Sequence, residues 1–550
     1  MRPWVRAVVP SLVVLLAVLA VFGPVLRYPF LEWDDHLTLA TNPAFNPPSL
    51  NKVAVFWREP HLALYVPVTY TVWGVLAFLA WDGQTLQAWP FRAASVLLHA
   101  VAAVVVMGVV RGVLQARGHP QAVAASAVAG VLFAVHPVQV ESVAWASGLK
   151  DVLAGLLGWS AVGCGLAALA GGRTWRGWAR WTAAGALLAG AMLAKPSAVV
   201  FPLVFAIVAG VSGAGGAGRG RAVVVAVAAG LAMAVPVAWA ARAVQPPNHG
   251  EVAPLLWRPV LALDALGFYV RHVVWPWPLA VDYGRSPKVQ LADPWMPLQA
   301  AVPAVLAGVL WAASRHTRKG WAEGRAAPGP LPTSLGLVGG GLAAAAVLLL
   351  PVLGLVPFQY QRYSAVADHY LYAAMGGVVL AVAALLWRWW AMVVAWAAAG
   401  MYALLAAAYV PSWADTVTLF THTERVTPAS FAAHRVLGFH AARQGDDAAA
   451  ETHYRTALRL RPDDAETHFN LGNLLLRRGQ WSEAAACYES ALSHRADLTP
   501  ALLNLAVARE RAGDVSGARE AYRRVLEREP GHPAAAAGMR RLSEAPDGPR

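Results

Sequence analysis

Long runs of apolar residues, separated by short polar segments, fill the chain up to residue 410. A helix needs roughly 20 mostly apolar residues to cross a bilayer, so each long run predicts one membrane-spanning helix. Two further runs, 65–81 and 258–275, are interrupted by Pro, Trp and charge, and we expect them to lie in the interface or to re-enter. The pattern predicts about eleven crossings, near residues 7–26, 91–114, 122–135, 151–170, 179–194, 197–212, 221–242, 297–315, 334–357, 369–388 and 391–410.

Basic residues in the connecting segments indicate the direction of these crossings. Lys and Arg concentrate in the cytoplasmic loops of membrane proteins, and with this number of crossings the basic loops all fall on one side. They contain Arg111, Arg117, Arg173, Arg176, Arg180, Arg219, Arg221, Arg315, Arg318, Lys319, Arg325 and Arg388. The loops 27–64, 136–150, 243–296 and 358–368 then face the extracytoplasmic side, as does the C-terminal segment.

A repeat of 34 residues replaces the apolar pattern beyond Pro411. The residues that recur at this spacing are Leu437, Leu471 and Leu505, then Ala450, Ala484 and Ala518, and Tyr454, Tyr488 and Tyr522. This period is typical of tetratricopeptide repeats, in which each unit is a pair of antiparallel helices and an aromatic side chain fills the gap between neighbours.

The pattern therefore predicts an all-α protein with two parts. We expect a polytopic transmembrane helical bundle over 1–410, a linker over 411–430 and an α-solenoid over 431–545. The solenoid would contain units at 431–464, 465–498 and 499–532, with a partial capping helix at 533–545.

Composition agrees with a membrane as the solvent for much of the chain. Hydrophobic residues make up 57% and charged residues 14%, and the mean hydropathy is +0.47, which is too apolar for one water-soluble core. The net charge of +13 is explained by basic loops facing anionic lipid, so no nucleic acid partner is needed. The two cysteines, Cys164 and Cys487, give no disulfide framework or Cys-based zinc site.

The first outer loop contains three acids within four residues, Glu32, Asp34 and Asp35. A pair of carboxylates can deprotonate a hydroxyl acceptor, or hold a divalent cation against a phosphate leaving group. A solvated loop tip is the alternative explanation. The segment therefore predicts a catalytic site or a polar loop beside the first span.

Other charged residues gather at the same predicted membrane surface. These are His136, Glu141, Lys150 with Asp151, Lys195, Arg362, Asp368 and His369. Cations there could bind a phosphate, although Lys195 could instead snorkel to the interface, and Lys150 with Asp151 could be an ordinary helix start. No Gly-rich phosphate loop, zinc-binding His-Glu helix pair or nucleophile elbow occurs in the sequence, which disfavours nucleotide-driven chemistry on the cytoplasmic side. If the active face is extracytoplasmic, where nucleotide sugars are scarce, an activated donor would have to arrive on a lipid.

Together these segments resemble the polytopic C-type glycosyltransferases, and especially the transmembrane and tetratricopeptide repeat-containing O-mannosyltransferase family with its bacterial relatives. The resemblance runs the whole length of the chain. The matching motifs are Trp33-Asp34-Asp35 with Asn42-Pro43, Tyr65-Val66-Pro67-Val68-Thr69, His136-Pro137 through Glu141 to Lys150-Asp151, Ala194-Lys195-Pro196, Trp275-Pro276-Trp277-Pro278-Leu279 with Asp282-Tyr283, and Val366-Ala367-Asp368-His369-Tyr370-Leu371-Tyr372. The chain has His369 where the family usually has Arg, Val66 where Arg is common and Leu149 where a charged residue is frequent.

The resemblance implies an inverting transfer of a mannose-like sugar from a polyprenyl-phosphate donor to a protein or glycan hydroxyl. Asp34 or Asp35 would be the general base, with Asp35 the weaker candidate. The donor phosphate or sugar would contact residues among Glu32, His136, Glu141, Lys150, Lys195, Arg362, Asp368 and His369. The resemblance leaves open whether a divalent cation is used.

Two other functions remain open at this point. The chain could be a membrane-anchored scaffold that binds partner proteins through its repeats without catalysis, or a transporter or flippase. The Ala-, Arg- and Trp-rich composition favours a bacterial origin. In that case the active face and the repeats would lie on the periplasmic side of the inner membrane, and the carrier would be undecaprenyl phosphate.

Overall fold

The computed structural model describes residues 5–171, 174–213, 217–244, 252–322 and 330–544. These residues form helices joined by turns and loops, with no β-strand among them and three isolated β-bridges. The chain separates into two compact units. The first consists of 1–281 and 285–419, and the second of 282–284 and 420–550.

In the part of the first unit that the structure describes there are sixteen α-helices and the start of a seventeenth. They are α1 (Val5–Phe22), α2 (Leu50–Val55), α3 (Pro67–Ala80), α4 (Trp89–Ala116), α5 (Ala122–Val135), α6 (Val140–Ala144), α7 (Leu149–Gly171), α8 (Trp175–Ala194), α9 (Phe201–Val211), α10 (Ala217–Ala243), α11 (Arg258–Val274), α12 (Pro287–Ala292), α13 (Met296–Ala322), α14 (Pro330–Leu349), α15 (Leu371–Ala383), α16 (Trp389–Tyr409) and α17 (Thr416–Val426).

Within the described residues, seven helices are long and apolar enough to cross a membrane, fewer than the predicted eleven or so. They cover Val8–Arg27, Trp89–Ala116, Ala146–Gly171, Arg219–Ala243, Met296–Arg315, Ser334–Val352 and Trp389–Trp413. The predicted crossing at 122–135 continues after a 50° bend into Pro137–Ala144, and counting this bent pair as one span gives eight.

The remaining predicted crossings coincide with shorter or more polar helices. The apolar helices Pro196–Val211 and Asp368–Ala383 are too short to count as full spans, and α8 is outside the seven. Proline explains part of the difference, because α8 ends at Ala194 and a new helical segment begins at Pro196. An apolar run in the sequence does not show where the helix inside it breaks.

Many large apolar side chains of the long helices point away from the protein. On α10, Val224, Val235 and Trp239 are 68%, 68% and 74% exposed, and on α16 Leu404 is 74% exposed. Exposed apolar faces of this kind are unfavourable in water and suit contact with lipid or with another apolar surface. The helices therefore have the composition of a membrane bundle.

Among its described residues, the second unit contains the end of α17, three helix pairs and one further helix. The pairs are α18 (Phe431–Gln444) with α19 (Asp447–Leu460), α20 (Ala465–Arg477) with α21 (Trp481–His494), and α22 (Thr499–Arg511) with α23 (Val515–Arg528), followed by α24 (Pro533–Glu544). Aspartate side chains cap α19, α20 and α23 by accepting a backbone N–H from the first turn. The first helix of each pair is followed by a glycine with positive φ, namely Gly445, Gly479 or Gly513.

The repeated tyrosines fill the space where neighbouring helices cross. An ideal Cβ at Gly438 would lie 2.8 Å from the ring of Tyr454, and one at Gly472 would lie 2.7 Å from Tyr488. Both tyrosines are buried. Glycine is needed at these two positions because any side chain would meet the ring.

The segment 411–430, expected to be a linker, is helical over Thr416–Val426. This helix, α17, contains the boundary between the two units. Its second half brings Glu424 close to the first repeat, at 3.4 Å from His434.

Candidate active site

The two aspartates of the first loop have different environments. Asp35 precedes a π-helical turn at His36–Ala40 and is wholly buried, whereas Asp34 is partly exposed. Oδ1 of Asp35 accepts hydrogen bonds from the backbone N–H and the hydroxyl of Ser147, at 2.8 and 2.6 Å. Its Oδ2 accepts from the backbone N–H of Leu31 at 3.2 Å. Asp35 therefore fixes the first loop against the segment before α7.

Arg92 completes the surroundings of Asp35, and sequence reasoning missed it. The side chain of Arg92 is wholly buried, its Nη2 donates to the carbonyl of Pro29 at 2.6 Å, and the same nitrogen lies 3.7 Å from Oδ2 of Asp35. A charged residue inside an apolar helix is costly unless it has a partner. The position of Arg92 within the predicted span 91–114 was the signal that could have revealed the pair.

The carboxylate of Asp34 accepts no hydrogen bond from any described residue, although its backbone carbonyl accepts one from Thr38 Oγ1 at 2.7 Å. Burial raises the pKa of Asp34, the positive charge of Lys150 opposes this rise, and the Asp35 carboxylate adds to it. A carboxylate with a raised pKa is a better proton acceptor than an ordinary one. Of the two aspartates, Asp34 therefore has the environment of a general base.

Two lysines bring positive charge to the same region. Lys150 is partly exposed at the start of α7, with Nζ 4.9 Å from the ring centre of Trp145. Lys195 forms an ion pair with the buried Asp151, and its Nζ lies 5.3 Å from the ring centre of Tyr370. Burial lowers the pKa of the Lys195 ammonium, and the charge of Asp151 opposes this shift. Asp151 thus helps to keep Lys195 charged.

Glu141 and His369 form a buried pair between two distant segments. Nδ1 of His369 lies 2.7 Å from Oε1 of Glu141, and the backbone N–H of His369 donates to Oε2 at 3.0 Å. The His369 ring lies 4.3 Å from Tyr370 and 5.9 Å from Trp145. The pair joins α6 to the turn that begins α15.

A small cleft of about 30 Å³ connects several of these residues. It is lined by Asp151, Ala154, Lys195, Ser197, Ala198, Phe201, Leu348, Val352, His369, Tyr370 and Ala373. The cleft combines the ion pair, the histidine and an aromatic ring with apolar walls. The cations and the aromatic ring are groups that bind phosphates and sugars, but a cleft of this size has room for only a few water molecules.

The other predicted site residues have different positions. His136 is buried with Nε2 3.0 Å from the carbonyl of Val273, a position that suits a structural role. Asp368 is wholly buried next to His369. Glu32 is exposed on the first loop, and the side chain of Arg362 lies outside the described residues.

Within the described residues, the side chains around Asp34 do not form a group of three potential metal ligands. Mg²⁺ can also be held by one or two carboxylates together with substrate phosphates, so a cation that binds with the donor stays a prediction. The described residues contain one group of three side chains that could hold a metal, and it lies in the second unit.

Two family models, both described as tetratricopeptide repeat, match the C-terminal region. One covers residues 430–497 and the other 469–533. The predicted tetratricopeptide repeats are therefore confirmed. No curated protein matches the chain.

Solved structures of tetratricopeptide domains also match. The Arabidopsis OM64 domain is 21% identical, with 20% of this chain and 93% of that chain covered and a TM-score of 0.20. The second such domain of human RPAP3, in complex with an HSP70 peptide, is 18% identical, with 21% and 99% covered and a TM-score of 0.20. The P58(IPK) domain is 12% identical, with 66% and 92% covered and a TM-score of 0.20. The repeat assignment rests on the family models and on the helix pairs themselves.

Proposed function

We propose that this protein is an inverting glycosyltransferase that moves a mannose-like monosaccharide from a polyprenyl-phosphate donor to a hydroxyl of a protein or glycan. The acceptor oxygen attacks the anomeric carbon, and the bond from that carbon to the phosphate oxygen breaks. The acceptor proton passes to Asp34, and the leaving polyprenyl phosphate takes the bonding electron pair. A single displacement of this kind inverts the anomeric configuration.

The observation that carries the proposal is the difference between Asp34 and Asp35. The carboxylate of Asp35 is held by Ser147 and Leu31, whereas that of Asp34 accepts no hydrogen bond from the described residues and has a raised pKa. A general base must be ionised and able to receive a proton from a substrate. Asp34 meets the second requirement more closely than its neighbour, because its carboxylate accepts no hydrogen bond from the described residues.

The two lysines fit the leaving group. A departing phosphate gains negative charge, and fixed cations stabilise that charge. Lys150 acts electrostatically on Asp34, and Lys195 lines the cleft with its charge supported by Asp151. We assign the donor phosphate to these two lysines, with His369 and Tyr370 close to the sugar.

The proposed setting is a bacterial inner membrane, with the active face on the periplasmic side and undecaprenyl phosphate as the carrier. The exposed apolar faces of α10 and α16 support a bilayer around the first unit. The basic loops support the orientation. In this arrangement the donor would enter the cleft from the membrane, and the acceptor would approach from outside it.

The repeats favour a second function for the C-terminal unit. Tetratricopeptide repeats indicate a protein–protein interaction scaffold. We propose that the repeats bind the acceptor protein or a partner that presents it. If the first unit has no transferase activity, this scaffold is the alternative function of the whole chain.

The test is transfer of labelled sugar by the purified full-length protein. Mannose-, glucose- and arabinose-polyprenyl phosphates serve as donors, and an extract of membrane and secreted proteins serves as the acceptor pool. We expect Asp34→Asn to lower turnover by about 10²–10⁴-fold, the usual contribution of a general base. Glu59→Gln is the matched control, because it removes an exposed carboxylate from the same predicted outer loop, 27–64, and has no proposed role in the site.

Two results would contradict the transferase. One is no transfer from any donor by the native chain, and the other is full activity in a folded Asp34→Asn variant. Specific capture of a protein by an inactive full-length chain would favour the scaffold instead.

A further inference from the structure

Three side chains at the start of the repeat unit bring potential metal ligands together. Glu424 lies on α17, His434 on α18 and His453 on α19. Nδ1 of His434 lies 3.2 Å from Nδ1 of His453 and 3.4 Å from Oε1 of Glu424. The distance from His453 Nδ1 to Glu424 Oε1 is 3.6 Å, so these three atoms form a triangle of nearly equal sides.

We propose that Glu424, His434 and His453 bind a zinc ion, with a water molecule or a side chain of a partner as the fourth ligand. This site is separate from the proposed transferase site and does not depend on it. The ligand set of two imidazoles and one carboxylate is one that zinc accepts.

The triangle has the dimensions that a tetrahedral zinc ion requires. In a tetrahedron the ligand atoms are separated by about 1.6 times the metal–ligand distance, so zinc bonds of about 2.0–2.1 Å put them about 3.3–3.4 Å apart. The observed sides are 3.2, 3.4 and 3.6 Å. A circle through the three atoms has a radius of about 2.0 Å, so an ion slightly above their plane could bond to all of them without large movement.

The orientation of His434 supports a ligand role independently. Its Nε2 lies 3.0 Å from the carbonyl oxygen of Pro428. A carbonyl only accepts hydrogen bonds, so Nε2 carries the hydrogen, and Nδ1 of the neutral ring has its lone pair available for a metal. Zinc-binding histidines usually donate their other ring N–H to a carbonyl or carboxylate in this way.

The surroundings favour a cation and leave it a path of entry. Glu424 and Asp446 place negative charge near His453. The side chains of Glu424, His434 and His453 are 32%, 10% and 22% exposed. The site is therefore partly open to solvent, which suits three protein ligands and one exchangeable fourth ligand.

The same positions in the second repeat lack this combination. Moving 34 residues along the chain, His434 corresponds to His468, Glu424 to Leu458 and His453 to Cys487. Nε2 of His468 also lies close to a carbonyl, that of Pro462, at 2.8 Å. The ring-to-carbonyl bond therefore recurs in the first two repeats, whereas the second histidine and the carboxylate have no counterpart at the equivalent positions of the second repeat.

The experiment is zinc titration of full-length protein purified without a histidine tag and stripped of metal with a chelator. We expect one Zn²⁺ per chain, and expect His434→Gln, His453→Gln and Glu424→Gln each to weaken its binding. Loss of a histidine ligand should weaken zinc binding by more than about 100-fold. Loss of a group that only hydrogen-bonds to a ligand weakens metal binding by up to about that factor. His468→Gln is the matched control, because it removes the same ring-to-carbonyl bond in a repeat without the other two ligands.

Two further readouts keep the test independent of folding defects. Co²⁺ in place of zinc should give the intense visible absorption of tetrahedral coordination, and Glu424→Gln, which preserves the shape of the side chain, should reduce that absorption. Zinc should also raise the melting temperature of the native chain and of His468→Gln. The proposal is wrong if the native chain binds no Zn²⁺, or if the ligand variants and His468→Gln bind it equally well.

Discussion

Replacing Gly472 by alanine is expected to destabilise the repeat unit, even though alanine is the better helix former. An ideal Cβ at this position would lie 2.7 Å from Cε1 and 3.0 Å from Cδ1 and Cζ of Tyr488. The Tyr488 ring is wholly buried, and its hydroxyl donates to Oδ1 of Asn473 at 2.7 Å. The ring therefore cannot move away without weakening that hydrogen bond.

The expected change in the free energy of unfolding is the sum of three contributions. Overpacking a buried site costs about 1–3 kcal/mol, and weakening the tyrosine hydrogen bond costs about 0.5–1.5 kcal/mol. Alanine in place of glycine inside a helix returns about 1 kcal/mol. The expected net destabilisation is about 0.5–3.5 kcal/mol, with the packing clash as the largest part.

The assay is alkylation of Cys487 in the full-length chain across a urea series, in a Cys164→Ala background. Cys487 is partly buried on α21, and burial raises its thiol pKa to about 11, so the folded repeat should react slowly. Gly472→Ala should shift the onset of alkylation to lower urea.

A second background separates the clash from other effects. In Tyr488→Leu the ring is gone, so adding Gly472→Ala should be neutral or stabilising by up to about 1 kcal/mol. Equal destabilisation in both backgrounds, or stabilisation of the chain that keeps Tyr488, would refute the packing argument.

Three other predictions concern the proposed site. Ser147→Ala removes a hydroxyl donor from buried Asp35, and should destabilise the first unit by about 1.5–3 kcal/mol, seen as a lower melting temperature in detergent. Because the pKa of Asp34 is raised, lowering the pH should protonate this base, and so slow sugar transfer, at a pH above about 3.9, the ordinary pKa of an aspartate. A pH–rate profile in which transfer falls only at or below a pH of about 3.9 would contradict this. Lys195→Met leaves buried Asp151 without its ion-pair partner and should lower both stability and activity. Adding Asp151→Asn to the Lys195→Met variant removes the unpaired buried charge, so it should restore the melting temperature but not sugar transfer. Recovery of both would mean that Lys195 has only a structural role.

The repeats could be predicted from sequence because their pattern is local. Tyr454, Tyr488 and Tyr522 recur every 34 residues, and the paired helices follow from that period. The number of long apolar helices was predicted less well. Apolar content alone does not show that α8 ends before Pro196 or that α5 bends after Val135.

The candidate site was harder to predict because its contacts are distant in sequence. The motif alone could not explain why the two adjacent acids differ, since Asp35 is bonded to Ser147, 112 residues away. Glu141 and His369 are 228 residues apart. Resemblance to a family suggested the residues, but which of them are engaged with each other depends on the folded chain.

The anchoring of Asp35 has a consequence for the cost of binding. A loop that orders only when its ligand arrives loses conformational entropy at that moment, which weakens binding. Here Asp35, Ser147 and Leu31 hold the first loop in place through hydrogen bonds within the protein. In the proposed transferase, Asp34 would therefore be preorganised, and an acceptor hydroxyl would meet a base that is already in position.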